Sequence, residues 1–375
     1  MIALRSPYFI IENESNLTKI DLDIRIYTGA QDSSVSSPQY SLSSDAISEL
    51  VVVDISELCR DYIDSTFDGG YDCTAVYVNY QVTRYISGVA QTPDSVVQLE
   101  GVDAYVNFEE GANSSNSAYD TPMLMQSNKT IYSHVDEPFR IPVYQSKVDR
   151  VDFMSKGVVV ATGSITDTSS STNIIRYISI PDSGDSFKER VDGDLGLYDD
   201  GTITVKSTSK GYGLYDVDRI LVTNSQAGDD VFIDVITVHE RRYDPVKVTF
   251  VNKFGALQDM WFFKINRATS NVESKSFRRN IISSGAYSTT AHSDYSLRRN
   301  SKESVELNSG LYSEDYSEVF RQLLLSESVW IKYEGTTVPV TVTNSSHTYQ
   351  NSVNDKKIEF SLNVEFASNK INDIR

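Results

Sequence analysis

The sequence predicts a mainly β, multi-domain protein built from β-sandwich-like units. Most apolar residues occur in short runs with period two, as between Ile20 and Ile26, where isoleucine or leucine alternates with charged residues. Clusters of Gly, Asp and Ser separate these runs, as turns do. At 375 residues the chain is long enough for two or three domains. We expect three.

The first domain is predicted to span residues 1–120. Asp54 is expected to cap a short helix, with Glu57 completing a capping box. Strands are predicted at Ala75–Ile86 and Val102–Phe108, which are rich in valine and aromatic residues. The polar stretch that follows lacks periodicity, so it is interpreted as a long loop or a boundary.

The second domain, residues 128–244, is predicted to be a β-sandwich. Its short apolar runs recur at roughly a dozen residues or more and are divided by Gly, Asp and Ser clusters. The predicted strands are Phe139–Val143, Val158–Ala161, Ile174–Ile180, Ile203–Val205, Ile220–Val222 and Val231–Val238.

The third domain, residues 245–375, begins with two strand-like runs around the break Asn252-Lys253-Phe254-Gly255. The first run has one apolar face, whereas the second, ending in Trp261-Phe262-Phe263, has large side chains on both faces. Such a strand is either central in a sandwich or covered by another subunit. A longer helix is predicted near residues 313–325 with Ser313 as its cap. Strand-like runs follow at Val329–Val342 and Lys357–Phe366.

The charge of the chain restricts its partners and its location. A formal net charge of -18 and a pI near 4.6 argue against nucleic-acid binding, which needs a basic face. No apolar run approaches the ~20 residues that cross a bilayer, so no membrane insertion is expected. Met1 to Pro7 lacks the apolar core of an export signal. Cys59 and Cys73 have neither metal-ligand nor redox spacing and are expected to be reduced and structural.

The sequence contains none of the common catalytic or phosphate-binding motifs. The four histidines form no pair with metal-ligand spacing, and GxSxG, P-loop and GxGxxG patterns do not occur. We therefore expect a non-enzymatic protein without a cofactor. One alternative stays open at the acidic loop Asp182–Asp200, whose carboxylates can hold Ca²⁺ or supply the acid pair of a glycosidase. A solvated loop is the simpler interpretation.

Aromatic and arginine residues of the third domain are the candidate interface residues. Large aromatic side chains fill cores and interfaces, and burial in the chain's own core is the simpler alternative. Two short segments repeat a pattern, FRRN from Phe277 and LRRN from Leu297, which predicts sister strands of a hairpin unless the similarity is fortuitous. Paired arginines there can contact an acidic patch of a neighbouring copy, although exposed arginines are often merely solvated. The candidates are Phe254, Trp261, Phe262, Phe263, Arg278, Arg279, Arg298, Arg299 and Trp330.

Several segments resemble structural proteins of tailed bacteriophages. They are VKVTFVNKFGALQDMWFF from Val246, LLLSESVWIKY from Leu323, VPVTV from Val338 and NDKKIEFSLNVEFASNKIN from Asn354. RSPYF from Arg5 and DISELCRDYI from Asp54 look like the beginning of the same family. The resemblance covers less than half of the chain, and the middle region is interpreted as an insertion.

The resemblance implies a virion protein of the tail tip, baseplate or fibre-attachment type, assembled in the host cytoplasm in several copies. Its expected partners are copies of itself and other phage tail proteins. Strand addition and burial of aromatic faces would hold it there, with charge complementarity selecting the partner. The alternative is a carbohydrate-binding β-sandwich that recognises a host surface glycan through tyrosines and acidic loops of the middle region. A glycan-degrading enzyme is a third possibility.

Overall fold

The computed structural model describes residues 1–28, 37–71, 75–116, 121–134, 139–164, 174–179, 217–225, 227–240, 242–282, 285–290, 292–344 and 356–371. It confirms the predicted fold class: a mainly β, multi-sheet architecture with two α-helices in that part of the chain, one of them longer. Each predicted domain range contains sheets of its own. Independent folding of the three ranges stays a prediction.

The first range forms two sheets and one short helix. In chain order its elements are β1 (Ile2–Ala3), β2 (Phe9–Asn13), β3 (Leu17–Tyr27), β4 (Tyr40–Asp45), β5 (Leu50–Asp54), α1 (Ser56–Arg60), β6 (Ala75–Ile86), β7 (Val89–Ala90) and β8 (Val97–Val102). The larger sheet has the order β1-β8-β6-β3-β4, with β7 paired to β6, and the second sheet is the pair β2-β5.

The alternation of apolar and charged residues in β3 buries one face of this strand, as predicted. Ile20, Leu22 and Ile24 are fully buried, and they pack in one cluster with Ile10 of β2 and Val51 of β5. The two-stranded sheet therefore covers the inner face of the larger sheet, as in a sandwich. The other face of the two-stranded sheet points away from the larger sheet.

Two local predictions in this range are wrong. The predicted capping box does not form: the N-cap is Ile55, and Asp54 Oδ1 accepts hydrogen bonds from the backbone N–H of Ser56 at 2.9 Å and of Tyr8 at 3.0 Å. Asp54 thus joins the start of β2 to α1. The strand predicted at Val102–Phe108 does not form, because β8 ends at Val102. Beyond it the backbone turns to pair with another segment, with Tyr105 N–H donating to the carbonyl of Lys253 at 3.0 Å.

The middle range forms a five-stranded and a two-stranded sheet. Its strands are β9 (Thr130–His134), β10 (Arg140–Tyr144), β11 (Arg150–Ser155), β12 (Val158–Ser164), β13 (Ile175–Ser179), β14 (Arg219–Asn224) and β15 (Asp229–Val238). The orders are β12-β11-β14-β15-β9 and β10-β13. Ile141 and Ile178 of the small sheet share a core with Phe153 and Ile220 of the large one, which is the predicted sandwich arrangement. The predicted strand Ile203–Val205 lies outside the described residues, and β11 was not predicted.

The last range forms one seven-stranded sheet and the longer helix. Its elements are β16 (Val246–Val251), β17 (Leu257–Phe262), β18 (Arg267–Arg278), β19 (Asp294–Ser313), α2 (Tyr316–Leu325), β20 (Val329–Tyr333), β21 (Thr336–Val342) and β22 (Lys357–Phe366). The strand order is β17-β16-β20-β21-β22-β19-β18. Helix α2 packs on this sheet through Val319, Phe320 and Leu323. Ser313 is not its cap, because that residue ends β19 and the N-cap is Asp315.

Strand β17 is an edge strand that is buried on both faces. On one face Met260 and Phe262 lie opposite Val248 and Val246 of β16 and join the core beneath α2. On the other face the Trp261 ring lies 5.6 Å from the ring of His134 in β9. The second face is therefore covered by the middle range of the same chain. No second subunit is needed to bury it.

A separate buried cluster joins all three ranges. It contains Ala3, Tyr71, Tyr77, Val102 and Ala104 from the first range, Met125 from the link to the middle range, Ile174, Ile175 and Tyr177 from the middle range, and Val251, Ala256, Leu257 and Trp330 from the last. We call it the junction cluster. The turn between β16 and β17 lies within it, because Val251, Ala256 and Leu257 flank that turn.

Asn252 holds this turn with four side-chain hydrogen bonds. Its Nδ2 donates to the carbonyl of Met125 at 2.8 Å and to Gln258 Oε1 at 3.0 Å. Its Oδ1 accepts from the backbone N–H of Phe254 at 2.9 Å and of Ala256 at 3.1 Å. The side chain is completely buried, so this residue both shapes the turn and ties it to the segment that precedes the middle range.

Candidate assembly surfaces

The candidate aromatic residues lie in the chain's own interior. Trp261, Phe262 and Phe263 belong to the core of the last range, and Trp330 belongs to the junction cluster. Phe254 is half-buried against that cluster. For the four buried residues the structure has the simpler alternative, burial in the chain's own core, which leaves no surface for a neighbour. An interface role of Phe254 stays a prediction.

The junction also contains a buried polar contact between the first and last ranges. The Tyr71 hydroxyl donates to Asp259 Oδ2, and Thr249 Oγ1 donates to Asp259 Oδ1 at 2.7 Å. The guanidinium of Arg140 lies 5.2 Å from the centre of the Tyr71 ring. Burial, followed by the charge of Asp259, raises the pKa of Tyr71 well above its usual value. The hydroxyl therefore keeps its proton and acts as a donor.

Replacing Tyr71 by phenylalanine is expected to lower the free energy of unfolding by about 1–3 kcal/mol, because Asp259 loses a donor in a buried place. Chemical denaturation of both proteins measures the difference. Tyr287→Phe is the matched control, since Tyr287 is exposed and should change stability by less than about 0.5 kcal/mol. Equal effects of the two changes would contradict the role given to the contact.

The arginine candidates lie on a long hairpin that projects from the seven-stranded sheet. Strand β18 pairs with β19 from Arg267 opposite Glu306 to Arg278 opposite Asp294. β19 gains a second neighbour, β22, only from Ser304 onward. We call residues 267–304 the β-arm. The predicted sister strands are thus present, although FRRN and LRRN are offset in register and do not lie opposite each other.

The β-arm is exposed on both faces. Every residue of β18 is exposed, and β19 reaches the core only at Val305. At its base Lys370 N–H donates to the carbonyl of Ser301 at 2.8 Å, so the C-terminal segment flanks the beginning of the arm. Beyond the pair Glu273–Asn300 the ribbon continues for six residues to Arg279, a length of about 20 Å.

Large apolar side chains are exposed along the arm. Leu297 is 72% exposed, at the point where the β18–β19 register shifts and leaves it without a partner residue. The rings of Phe277 and Tyr295 stack across the ribbon with centroids 6.0 Å apart. Further exposed apolar residues are Val272, Ile282 and Tyr287. Exposed apolar surface of this kind marks interaction sites in soluble proteins.

The four candidate arginines are exposed on this arm. The pairing register puts Lys275 opposite Arg298 and Ser274 opposite Arg299, so the two faces of the ribbon each carry positive charge. The guanidinium of Arg279 lies 5.4 Å from the centre of the Tyr295 ring. The arm combines cationic and aromatic groups, as protein interfaces often do.

The charge of the arm is opposite to that of the remaining chain. Residues 267–304 contain seven Lys and Arg and three Asp and Glu, a formal net charge of +4. Because the whole chain carries -18, the remaining residues carry -22. The arm is therefore a basic projection on an acidic body, which fits an acidic partner.

A second exposed apolar surface lies on the two-stranded sheet of the first range. Ile10 and Val51 point to the core, so Ile11 and Val52, their neighbours in the same strands, point outward. Val52 is 47% exposed. Together with Leu50 and with Ile47 in the turn before β5, these residues form what we call the outer β2–β5 face. This face was not predicted, although the run of valines at residues 51–53 places apolar side chains on both faces of one strand.

The described residues contain neither a candidate metal site nor a helix that could span a membrane. The acidic loop Asp182–Asp200 lies outside the described residues, so its Ca²⁺ site and its acid pair stay predictions. Within the described ranges, no three His, Cys, Asp or Glu side chains are grouped closely enough to hold a metal ion. No helix in that part of the chain has the length and apolar character to span a membrane. Cys59 is buried, which raises the pKa of its thiol to about 12, and Cys73 is not among the described residues.

Comparison of the chain with protein-family models, with curated proteins and with solved structures gave no match.

Proposed function

We propose that this chain is a non-enzymatic structural protein of a bacteriophage tail, of the tail-tip, baseplate or fibre-attachment type, which assembles with copies of itself and with adjacent tail proteins. The observation that carries the proposal is the β-arm. The resemblance of the N-terminal and C-terminal segments to tail proteins supports the same class. The protein would reside in the virion after assembly in the host cytoplasm.

The open edge and the exposed side chains of the arm favour contact with another chain. A two-stranded ribbon is at best marginally stable alone in water, and it gains stability when a further strand or surface covers it. β18 is the last strand of its sheet, so its outward backbone groups are open to strand addition. Its exposed apolar and cationic side chains add contact area and charge. A projecting element of this composition is costly to expose unless a partner buries it.

A comparison of the free energy of side-chain burial with the cost of association favours assembly into a closed array. Full burial of a Val, Leu or Phe side chain contributes ~1.5–3 kcal/mol. Immobilising two protein molecules against each other costs ~4–15 kcal/mol. Three such side chains on one arm therefore give a weak contact. In a ring each copy gives one arm and receives another, so several weak contacts close together and reinforce one another.

The direct test is to shorten the arm without disturbing its base. Glu273 and Asn300 lie opposite each other, so residues 274–299 can be removed and the strands joined by an Asn-Gly turn. The full chain is expected to form multimers in low salt, and the shortened chain is expected to be monomeric. Its free energy of unfolding should change by less than about 0.5 kcal/mol, because the removed residues bury no core. Analytical ultracentrifugation and denaturation measure the two quantities.

Two results would contradict the proposal. One is a full chain that stays monomeric over the accessible concentration range, and the other is a shortened chain that still forms the same multimer. The assignment to a tail has its own check: genes for a tape measure, tail tube or portal are expected beside the gene for this chain. A neighbourhood of unrelated metabolic genes would count against it.

A further inference from the structure

We propose that the β-arm of one copy docks on the outer β2–β5 face of the next copy, so that the copies join head to tail. This inference rests on the proposed function, since it names the partner and the surface of the same arm. Both surfaces are exposed within one chain. The contact therefore forms between copies.

The two surfaces match in their apolar content. On one face of the arm Phe277 stacks on Tyr295, and Leu297 lies two residues further along β19 at the register shift, whereas Val272 lies on the opposite face. The outer β2–β5 face is a small sheet of aliphatic side chains backed by a fixed core. A sheet face with aliphatic side chains and a ribbon with spaced apolar side chains can exclude water from each other.

The two surfaces are opposite in charge. The segments that build the outer face, residues 9–14 and 45–54, contain five acidic residues and no Lys or Arg: Glu12, Glu14, Asp45, Glu49 and Asp54. Glu12 is on the inner face, opposite Val51, and lies 2.8 Å from Arg84, which is also 3.7 Å from Glu14; Lys19 is opposite Asp45 in the β3–β4 register but forms its ion pair with Asp21. The other four acids outnumber the two bases, so this region is negative. The arm carries +4 and is its electrostatic complement.

The contact would be heterologous, because the arm and the face are different surfaces of the chain. Heterologous contacts generate rings when the rotation between copies closes, and filaments otherwise. Such a contact has a property that arm-to-arm pairing lacks. A copy with a damaged arm and a copy with a damaged face still share one intact contact.

Mixing two variants tests this property. The arm variant is Phe277→Ser with Leu297→Ser, and the face variant is Leu50→Ser with Val52→Ser, all at exposed positions. Each variant alone is expected to be monomeric, with association weakened at least tenfold. Their equimolar mixture is expected to form a dimer of one copy of each and nothing larger. Val158→Ser with Ile236→Ser, two exposed apolar strand residues of the middle range, is the control and should assemble like the unaltered chain.

The outcomes separate this inference from the proposed function. If the face variant assembles as the unaltered chain does while the shortened arm abolishes assembly, the docking site is elsewhere and the proposed function stands. If both variants are monomeric but their mixture gives no dimer, the arm of one copy does not dock on the face of another and the inference is overturned. If the unaltered chain does not assemble at all, the proposed function fails as well. Raising the salt from ~50 to ~500 mM should weaken the mixed dimer by about tenfold, since exposed charges are then screened.

Discussion

Replacing Asn252 by alanine is expected to lower the free energy of unfolding by about 3–5 kcal/mol, a large part of the stability of a typical domain. The change removes all four side-chain hydrogen bonds of a residue that is completely buried. The carbonyl of Met125 and the backbone N–H groups of Phe254 and Ala256 would then be buried without these partners. Leaving such groups unsatisfied costs more than the net gain of forming the bonds. Denaturant titration of both proteins measures the loss.

A second variant separates hydrogen bonding from side-chain volume. Asn252→Asp keeps the shape of the side chain but replaces the donor that faces Met125 and Gln258 by an acceptor. It is expected to destabilise at least as much as alanine. Asn271→Ala, on the exposed strand β18, is the control and should stay within about 0.5 kcal/mol of the unaltered chain. A well-tolerated Asn252→Asp would show that filling the space matters more than the bonds.

The strands could be predicted because their pattern depends on local burial alone. The period-two alternation at Ile20–Ile26 and at Lys357–Phe366 requires one inward and one outward face, and both segments have them in the structure. The two-sided apolar run at Trp261–Phe263 was recognised as needing a second cover. What covers it could not be predicted, because the contact with β9 joins residues more than a hundred positions apart. Sequence periodicity contains no information about such long-range packing.

Caps and surfaces were predicted less well. Asp54 and Ser313 have the residue types that favour helix N-caps, but tertiary contacts assign them elsewhere: Asp54 binds the backbone of β2, and Ser313 ends a strand. The arm was indicated by its composition, since the segment RATSNVESKSFR has few large apolar residues and cannot fill a core face. The arginines on the arm are exposed, and their docking role stays a prediction. The apolar residues beside them, which carry the docking argument, were not.

The junction cluster connects the fold with the proposed assembly. The β-arm belongs to the last range of the chain, whereas the outer β2–β5 face belongs to the first. The angle between them in each copy is set where these two ranges meet, at the β16–β17 turn and residues 102–105. In a head-to-tail array that angle decides whether the contacts close into a ring. Under the proposed docking, a residue that fixes the turn is expected to influence both stability and assembly.

Gly255 lies in the same turn as Asn252, and Gly255→Ala is expected to destabilise the chain by about 3 kcal/mol or more. Its φ of +77° is in the left-handed region, where a Cβ costs about 1–2 kcal/mol. An added Cβ would also lie 3.0 Å from the backbone nitrogen of Asp103 and 3.1 Å from Val102 Cβ. Backbone at that distance has to move, so the first and last ranges would be pushed apart. Denaturation measures the stability, and sedimentation measures the assembly.

Gly335 provides the matched control, because it isolates the steric part of this effect. Its φ is +78°, almost the same as at Gly255, but an added Cβ would meet no atom within 4 Å. Gly335→Ala should therefore cost only the conformational part, about 1–2 kcal/mol, and leave assembly unchanged. The difference between the two variants measures the close approach at the junction. If both lose the same stability, the contact between the β16–β17 turn and residues 102–103 is too loose to set the angle between arm and docking face.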